Sequence, residues 1–259
     1  MEKTVVIGAT IHVELQSHHY VPKPFPRDLH GLCYKQAGKD FPHVDNQSPV
    51  FHPYIVSWKR WDEGIRAVIA IQSIDEAFTS RAIHYFNKNK KIRLGKELFN
   101  VLSVDLKDTK ALPTSIEEVK PVPSTFRIEF HTPTSFRKII WDEEKNKKRG
   151  MSIAYPDMKM FVRSISKAIH QVKGIKTDIQ QLNRIATELV PVSIEAHPML
   201  VQFQPTQETK NAFVGEVKLF TGSMSLEDRK LLSLLVQWGE QMGVGHMKGA
   251  GFGKIKVFF

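Results

Sequence analysis

The sequence predicts an α+β protein of two tandem ferredoxin-like halves, each a βαββαβ unit with its helices on one sheet face. Three observations carry that reading. The order strand, helix, strand, strand, helix, strand can be read twice along the 259 residues. A stretch carrying Pro113, Pro121 and Pro123 separates the two readings and lacks apolar periodicity. A hydrophobic share of 41% is that of a folded globular chain. The expected units are 1–120 and 121–259.

In the first half, residues 4–15 alternate loosely and are rich in β-branched side chains, which favours a strand. Tyr20 to Pro26 cannot extend it, because its prolines remove ladder donors. Leu29, Leu32 and Cys33 lie at helical spacing and predict a short helix over 27–37. Gly38 to Pro49 is polar, rich in turn formers, and carries His43. Residues 50–58 and 65–71 read as paired strands around the turn at Asp62, Glu63 and Gly64, followed by a helix over 75–86 and a strand over 98–106.

Beyond a linker-like stretch, Lys107 to Ser124, the order repeats. A strand is expected at 125–131, a helix at 157–170, strands at 190–204 and 211–221, a helix at 226–242 and a last strand at 252–258. The helix over 226–242 has the clearest ends. Ser225 suits the N-cap, Glu227 and Asp228 favour its positive end, and Gly243 stops it. Leu231, Leu234, Leu235, Trp238 and Met242 form its buried stripe.

Lys and Arg outnumber Asp and Glu by 37 to 27, a formal charge of +10. That balance favours a polyanionic partner, either nucleic acid or an anionic membrane surface. No apolar run approaches the roughly 20 residues that span a bilayer. The first residues lack a signal-peptide core, so a cytoplasmic protein is expected. The single cysteine, Cys33, excludes an intramolecular disulfide and a cysteine zinc cluster, and reads as a buried structural thiol. The histidines are scattered without metal-ligand spacing, so neither metal nor cofactor is expected.

The most specific signal lies near the C-terminus. Gly243, Gly245, Gly249, Gly251 and Gly253 follow a helix and precede a strand, with His246 and Lys248 among them. Glycines let backbone N–H groups approach a phosphate without Cβ obstruction, and a tight helix-to-strand turn would use them equally well. The order is not that of a dinucleotide fingerprint, which runs strand, glycines, helix. In this position the loop resembles the terminal glycine-rich signature of the CRISPR-associated RAMP superfamily. The match is to its repeat-processing endoribonuclease family (the sixth Cas family): Gly243-Val244-Gly245 and Gly251-Phe252-Gly253 fit its two glycine steps. Phe130 to Arg137, Tyr155-Pro156-Asp157 with the helix after it, and Phe213 to Val217 are similar to further segments of that family. In the first half, Leu29-His30-Gly31 and Pro53 to Ser57 match more loosely.

The resemblance implies tandem ferredoxin-like (RRM-like) domains and metal-independent cleavage of CRISPR repeat RNA. The RNA's 2′-OH would attack the adjacent phosphorus, leaving a 2′,3′-cyclic phosphate and a 5′-OH. That chemistry needs a base, a proton donor and a cation for the phosphorane charge. The family's catalytic histidine sits in the loop after the first helix, which points to His43, with His52 the main rival and His30 a third candidate. Tyr34 matches a helper tyrosine of some members, and Lys39 and Arg27 are the nearest cations. Gly245, His246, Lys248, Gly249 and Gly251 are the loop residues expected to contact RNA.

Two basic clusters could track a phosphate backbone: Lys88, Lys90, Lys91, Arg93 and Lys96, and Arg137, Lys138, Lys145, Lys147, Lys148 and Arg149. The second follows the Thr132-Pro133-Thr134 segment and is expected to form a hairpin or loop near the RNA. A catalytically silent RNA-binding subunit of a CRISPR effector complex is the alternative reading. The expected partner is precursor and mature repeat RNA, with room for a homodimer or a place in such a complex.

Overall fold

The computed structural model describes residues 5–37, 50–143, 146–203 and 209–259. Its first sheet contains β1 (Val6–Ser17), β2 (Phe51–Trp61), β3 (Gly64–Ser73), β4 (Lys91–Leu94) and β5 (Glu97–Leu112), in the order β2-β3-β1-β5-β4. Its pairings are antiparallel. Along β1 the odd-numbered Ile11, Val13 and Leu15 are buried, as period-2 geometry requires when one face is covered. The covering helices are α1 (Pro26–Ala37) and α2 (Glu76–Lys88). Phe78 and Phe86 of α2 join Leu29 and Leu32 of α1 in the same core. Asp75 caps α2 by accepting from Phe78 N.

The second sheet contains β6 (Thr125–Thr134), β9 (Val190–Gln202), β10 (Thr209–Phe220) and β11 (Ile255–Phe258), in the order β11-β6-β10-β9. Counted within each βαββαβ unit, with β4 set aside, both sheets read 4-1-3-2, the ferredoxin-like order. Helices α3 (Met158–Lys173), α4 (Ile179–Glu188) and α5 (Leu226–Met242) bury Phe161, Ile185 and Trp238 against Phe130 and Phe213. Strands β7 (Phe136–Asp142) and β8 (Lys147–Ile153) form a separate two-stranded hairpin.

Besides β4, where the sequence reading had only a basic cluster, three features differ from it. Residues 107–112 are the end of β5, and the rest of the expected linker is a packed strap. Val119 and Val122 are buried in the second core, Trp238 Nε1 donates to Pro113 O at 2.8 Å, and Arg229 Nε donates to Val122 O at 2.8 Å. Helix α4 was not expected, although Ile179, Leu182, Ile185 and Ala186 lie at helical spacing and Asp178 caps it; of these, Leu182 and Ile185 are buried. Strand β11 starts at Ile255 rather than 252, because Gly251 and Gly253 hold φ of 90° and 79°.

Candidate functional site

The glycine loop, 243–253, is where the two halves meet. Gly243, Gly245, Gly251 and Gly253 all have positive φ, as does Met247 between them. The loop is hung on the second half by its own backbone. His246 N donates to Ser135 O at 2.8 Å, Gly253 N to Pro133 O at 3.0 Å, and Gly245 N to Ser164 Oγ at 3.0 Å. Its other side rests on α1 and the start of β2. A methyl on Gly251 would stand 2.8 Å from Pro53 O, and one on Gly249 3.2 Å from His30 Nδ1. Glycine is needed here for close approach between the halves. The amides of Gly245, Gly251 and Gly253 are engaged within the protein, so the expected phosphate cradle of loop N–H groups does not form from them.

Two histidines lock this seam. His30, half-buried on α1, donates from Nδ1 to Gly249 O at 3.1 Å and stacks on Tyr34 with ring centroids 5.9 Å apart. His52 is fully buried and donates from Nε2 to Phe252 O at 2.9 Å. Burial, with Lys254 and Lys248 nearby, pushes its pKa down to about 3, so the ring is neutral at ordinary pH. A ring with no solvent access does not reach an RNA phosphate in this arrangement, and its role here is to hold the seam.

The loop also carries cations. Lys248 is only 5% exposed, and its ammonium makes no hydrogen bond or ion pair among the described residues. Burial and then the charge of Lys167 push its pKa down to about 8. Lys254, which the sequence reading missed, donates from Nζ to Gln72 Oε1 at 3.0 Å and to Glu240 O at 2.7 Å, and lies 5.5 Å from the Tyr54 ring centre. No motif marks it, since a lone lysine after a glycine step looks like any strand residue. His246 is held down to about 4 by burial and by Arg137, Lys210 and Lys167. Lys167 and Lys210 therefore join the predicted Arg137 around His246, from helix and strand positions that carried no sequence signal.

His43, Lys39 and Lys145 lie outside the described residues. Residues 38–49, which include His43 and Lys39, connect α1 to β2, the two elements on which the glycine loop rests. The seam thus brings together His30, Tyr34, His52, Gly249 and Lys248. Arg27 stands exposed at the start of α1, its N–H donating to Phe203 O at 3.4 Å. Arg137, Lys138, Lys147, Lys148 and Arg149 are exposed on the β7–β8 hairpin. Trp141 and Lys148 are cross-strand neighbours there, and Trp141 is 56% exposed. Among the described residues no three His, Cys, Asp or Glu cluster as metal ligands, and no helix is long and apolar enough to cross a membrane.

Residues 128–255 match the sequence pattern of the CRISPR-associated endoribonuclease Cas6 family. No curated protein sequence matches the chain significantly. Solved structures resemble it along nearly its whole length. A Cas6 (TTHA0078) product complex is 18% identical, aligns over 98% of this chain and 100% of its own, and has a TM-score of 0.77. Thermus thermophilus Cas6 (TTHB231) is 16% identical over 99% of this chain and 100% of its own, with a TM-score of 0.66. A RAMP protein binding different RNA substrates is 17% identical over 97% of this chain and 100% of its own, with a TM-score of 0.63.

Proposed function

The second half of the chain carries the Cas6 family pattern and the whole chain carries the Cas6 fold, and from that premise we propose that it is a metal-independent endoribonuclease cutting within CRISPR repeat RNA. The observation that supports this most is the docking of the glycine loop on α1 and β2, the elements joined by the segment that holds His43. In this reading residues 1–120 bring the catalytic loop, and residues 121–259 bring the glycine loop and the basic hairpin.

His43 takes the proton from the ribose 2′-OH, whose oxygen then forms a bond to the adjacent phosphorus. The bond from phosphorus to the 5′-oxygen breaks, a donor returns a proton to that oxygen, and a 2′,3′-cyclic phosphate remains. Tyr34, stacked on His30 at the seam, is the proposed donor or ribose-orienting group. Lys39 is the proposed cation for the phosphorane charge. His30 positions Gly249 through its hydrogen bond.

The test is cleavage of end-labelled repeat RNA in EDTA by wild type, His43→Ala, His30→Ala and His52→Ala. Wild type should make one cut with a cyclic-phosphate end. His43→Ala should cut about 10²–10⁴-fold more slowly while still binding. Full activity in His43→Ala would move the base elsewhere. Tight binding without any cut by wild type would leave the protein as an RNA-binding subunit of an effector complex.

A further inference from the structure

Beyond the seam, a cavity of about 780 Å³ opens in the first half between the chain entering α1 and the tip of the β4–β5 hairpin. That volume lies within the roughly 300–1,000 Å³ of ligand-sized pockets. Its apolar wall is aromatic: Trp58 and Phe99 meet edge to face at 5.6 Å, with Phe25 beside them. The indole N–H is already committed, donating to Val21 O at 3.1 Å, so the ring can offer a guest only its π-surface.

The rim is cationic. Lys23, Arg27, Arg93 and Lys96 line it, all exposed, against two carboxylates. Both carboxylates have other work. Asp28 Oδ2 accepts from Phe25 N at 3.0 Å and packs against Gly95, while Glu97 faces His19 at 3.5 Å. Lys23, Arg93 and Lys96 form no ion pair among the described residues. An aromatic wall beside Lys23, Arg93 and Lys96 suits one molecule with a flat ring and a phosphate. The cavity also adjoins the seam through α1. Arg27 on its rim and Tyr34 at the seam are seven residues apart, about 10 Å along a helix.

We propose that this cavity binds one unpaired nucleotide of the RNA strand flanking the cut, its base against Trp58 and Phe25, with the buried Phe99 backing the indole, and its phosphates on Arg93 and Lys96. This rests on the endoribonuclease reading and adds to it a subsite away from the reacting phosphate. Sequence preference there is weak, since stacking accepts any base.

The experiment measures the affinity of repeat RNAs carrying a single abasic site moved one position at a time, for wild type and for Arg93→Ala/Lys96→Ala. One or two abasic positions should weaken wild type about tenfold. The double variant should bind intact RNA more weakly, with a salt dependence flatter by about 0.7 per lost phosphate contact. Its penalty at those abasic positions should be smaller than that of wild type, because base and phosphates anchor one nucleotide and the two losses are coupled. A flat abasic scan, or losses that simply add at every position, would overturn the cavity assignment while leaving cleavage intact. A wild type that neither binds nor cuts repeat RNA would overturn both readings.

Discussion

His52 Nε2 donates to the carbonyl oxygen of Phe252 at 2.9 Å, tying the start of β2 to a residue 200 positions further along the chain. Replacing His52 with Ala leaves that carbonyl without its donor and opens a void in the seam. The expected loss is about 2–4 kcal/mol, read from the urea midpoint. His52→Gln, which keeps a donor, should recover part of it and cut RNA nearly as wild type. A catalytic base at this position would give the opposite pattern, normal stability with no cleavage.

Acid should loosen the same seam. The His52 imidazole takes a proton at its ordinary value of 6.5 when unfolded, but in the fold only at about 3. Between those values the unfolded chain binds more protons, so stability falls as pH drops from 6.5 toward 3. The loss approaches about 4–5 kcal/mol at the lower end. Denaturant titrations at pH 7, 6, 5 and 4 should trace it, and His52→Gln should flatten the slope.

Lys248→Met should make the protein more stable and a poorer RNA binder. The wild-type ammonium is buried and its pKa lowered from 10.5 to about 8, so holding it charged at pH 7 costs stability. Removing the charge should gain about 1–3 kcal/mol at pH 7. The gain should shrink to nothing as pH rises from 8 through 10.5, where the wild-type amine is neutral in both states. RNA affinity measured on the same variant should fall. An Lys248→Met protein that binds RNA normally would make the residue a purely structural oddity.

Gly253→Ala is expected to dismantle the loop. Its new methyl would stand 1.9 Å from Val244 O at a φ of 79°, and neither backbone can yield. A loss of several kcal/mol is expected by thermal or chemical unfolding. Gly31→Ala is the control. Nothing lies within 4 Å of that methyl, and it sits in α1, so about 0.5–1 kcal/mol should be gained.

The β7–β8 hairpin should contribute charge rather than stability. Lys138→Ala, Lys147→Ala and Lys148→Ala are exposed substitutions and should leave unfolding unchanged within about 0.5 kcal/mol. Each should weaken RNA binding and flatten its salt dependence by about 0.7–0.9 per lost phosphate contact.

Much of this architecture was legible where burial imposes a period. The helix Leu226–Met242 fell on the expected residues because Ser225, Gly243 and the Leu-Trp-Met stripe all act locally. The four strands of each βαββαβ unit were legible too, although β9 is exposed along nearly its whole length and shows no burial period. What was not legible depends on partners far along the chain. Nothing near Lys254 announces Gln72 or Glu240, and nothing near His52 announces Phe252. The glycine spacing identified the loop, but of the two uses open to it the spacing could not single out the tight turn that its amides make. Its amides bond inward because Ser135, Ser164 and Pro133, remote in sequence, present their oxygens to it.

The order in which the chain leaves the ribosome gives the glycine loop a further meaning. The first sheet can assemble once residue 112 has emerged, since its strands are contained within residues 6–112. Domains generally fold as units during synthesis, N-terminal first. The partners of His30 and His52, Gly249 and Phe252, arrive more than a hundred residues later. At some 5–20 residues per second, the first half waits several seconds or more with its seam face uncovered. The seam contacts are therefore timed as well as placed, and the nascent protein cannot present a finished site until Phe252 has been made.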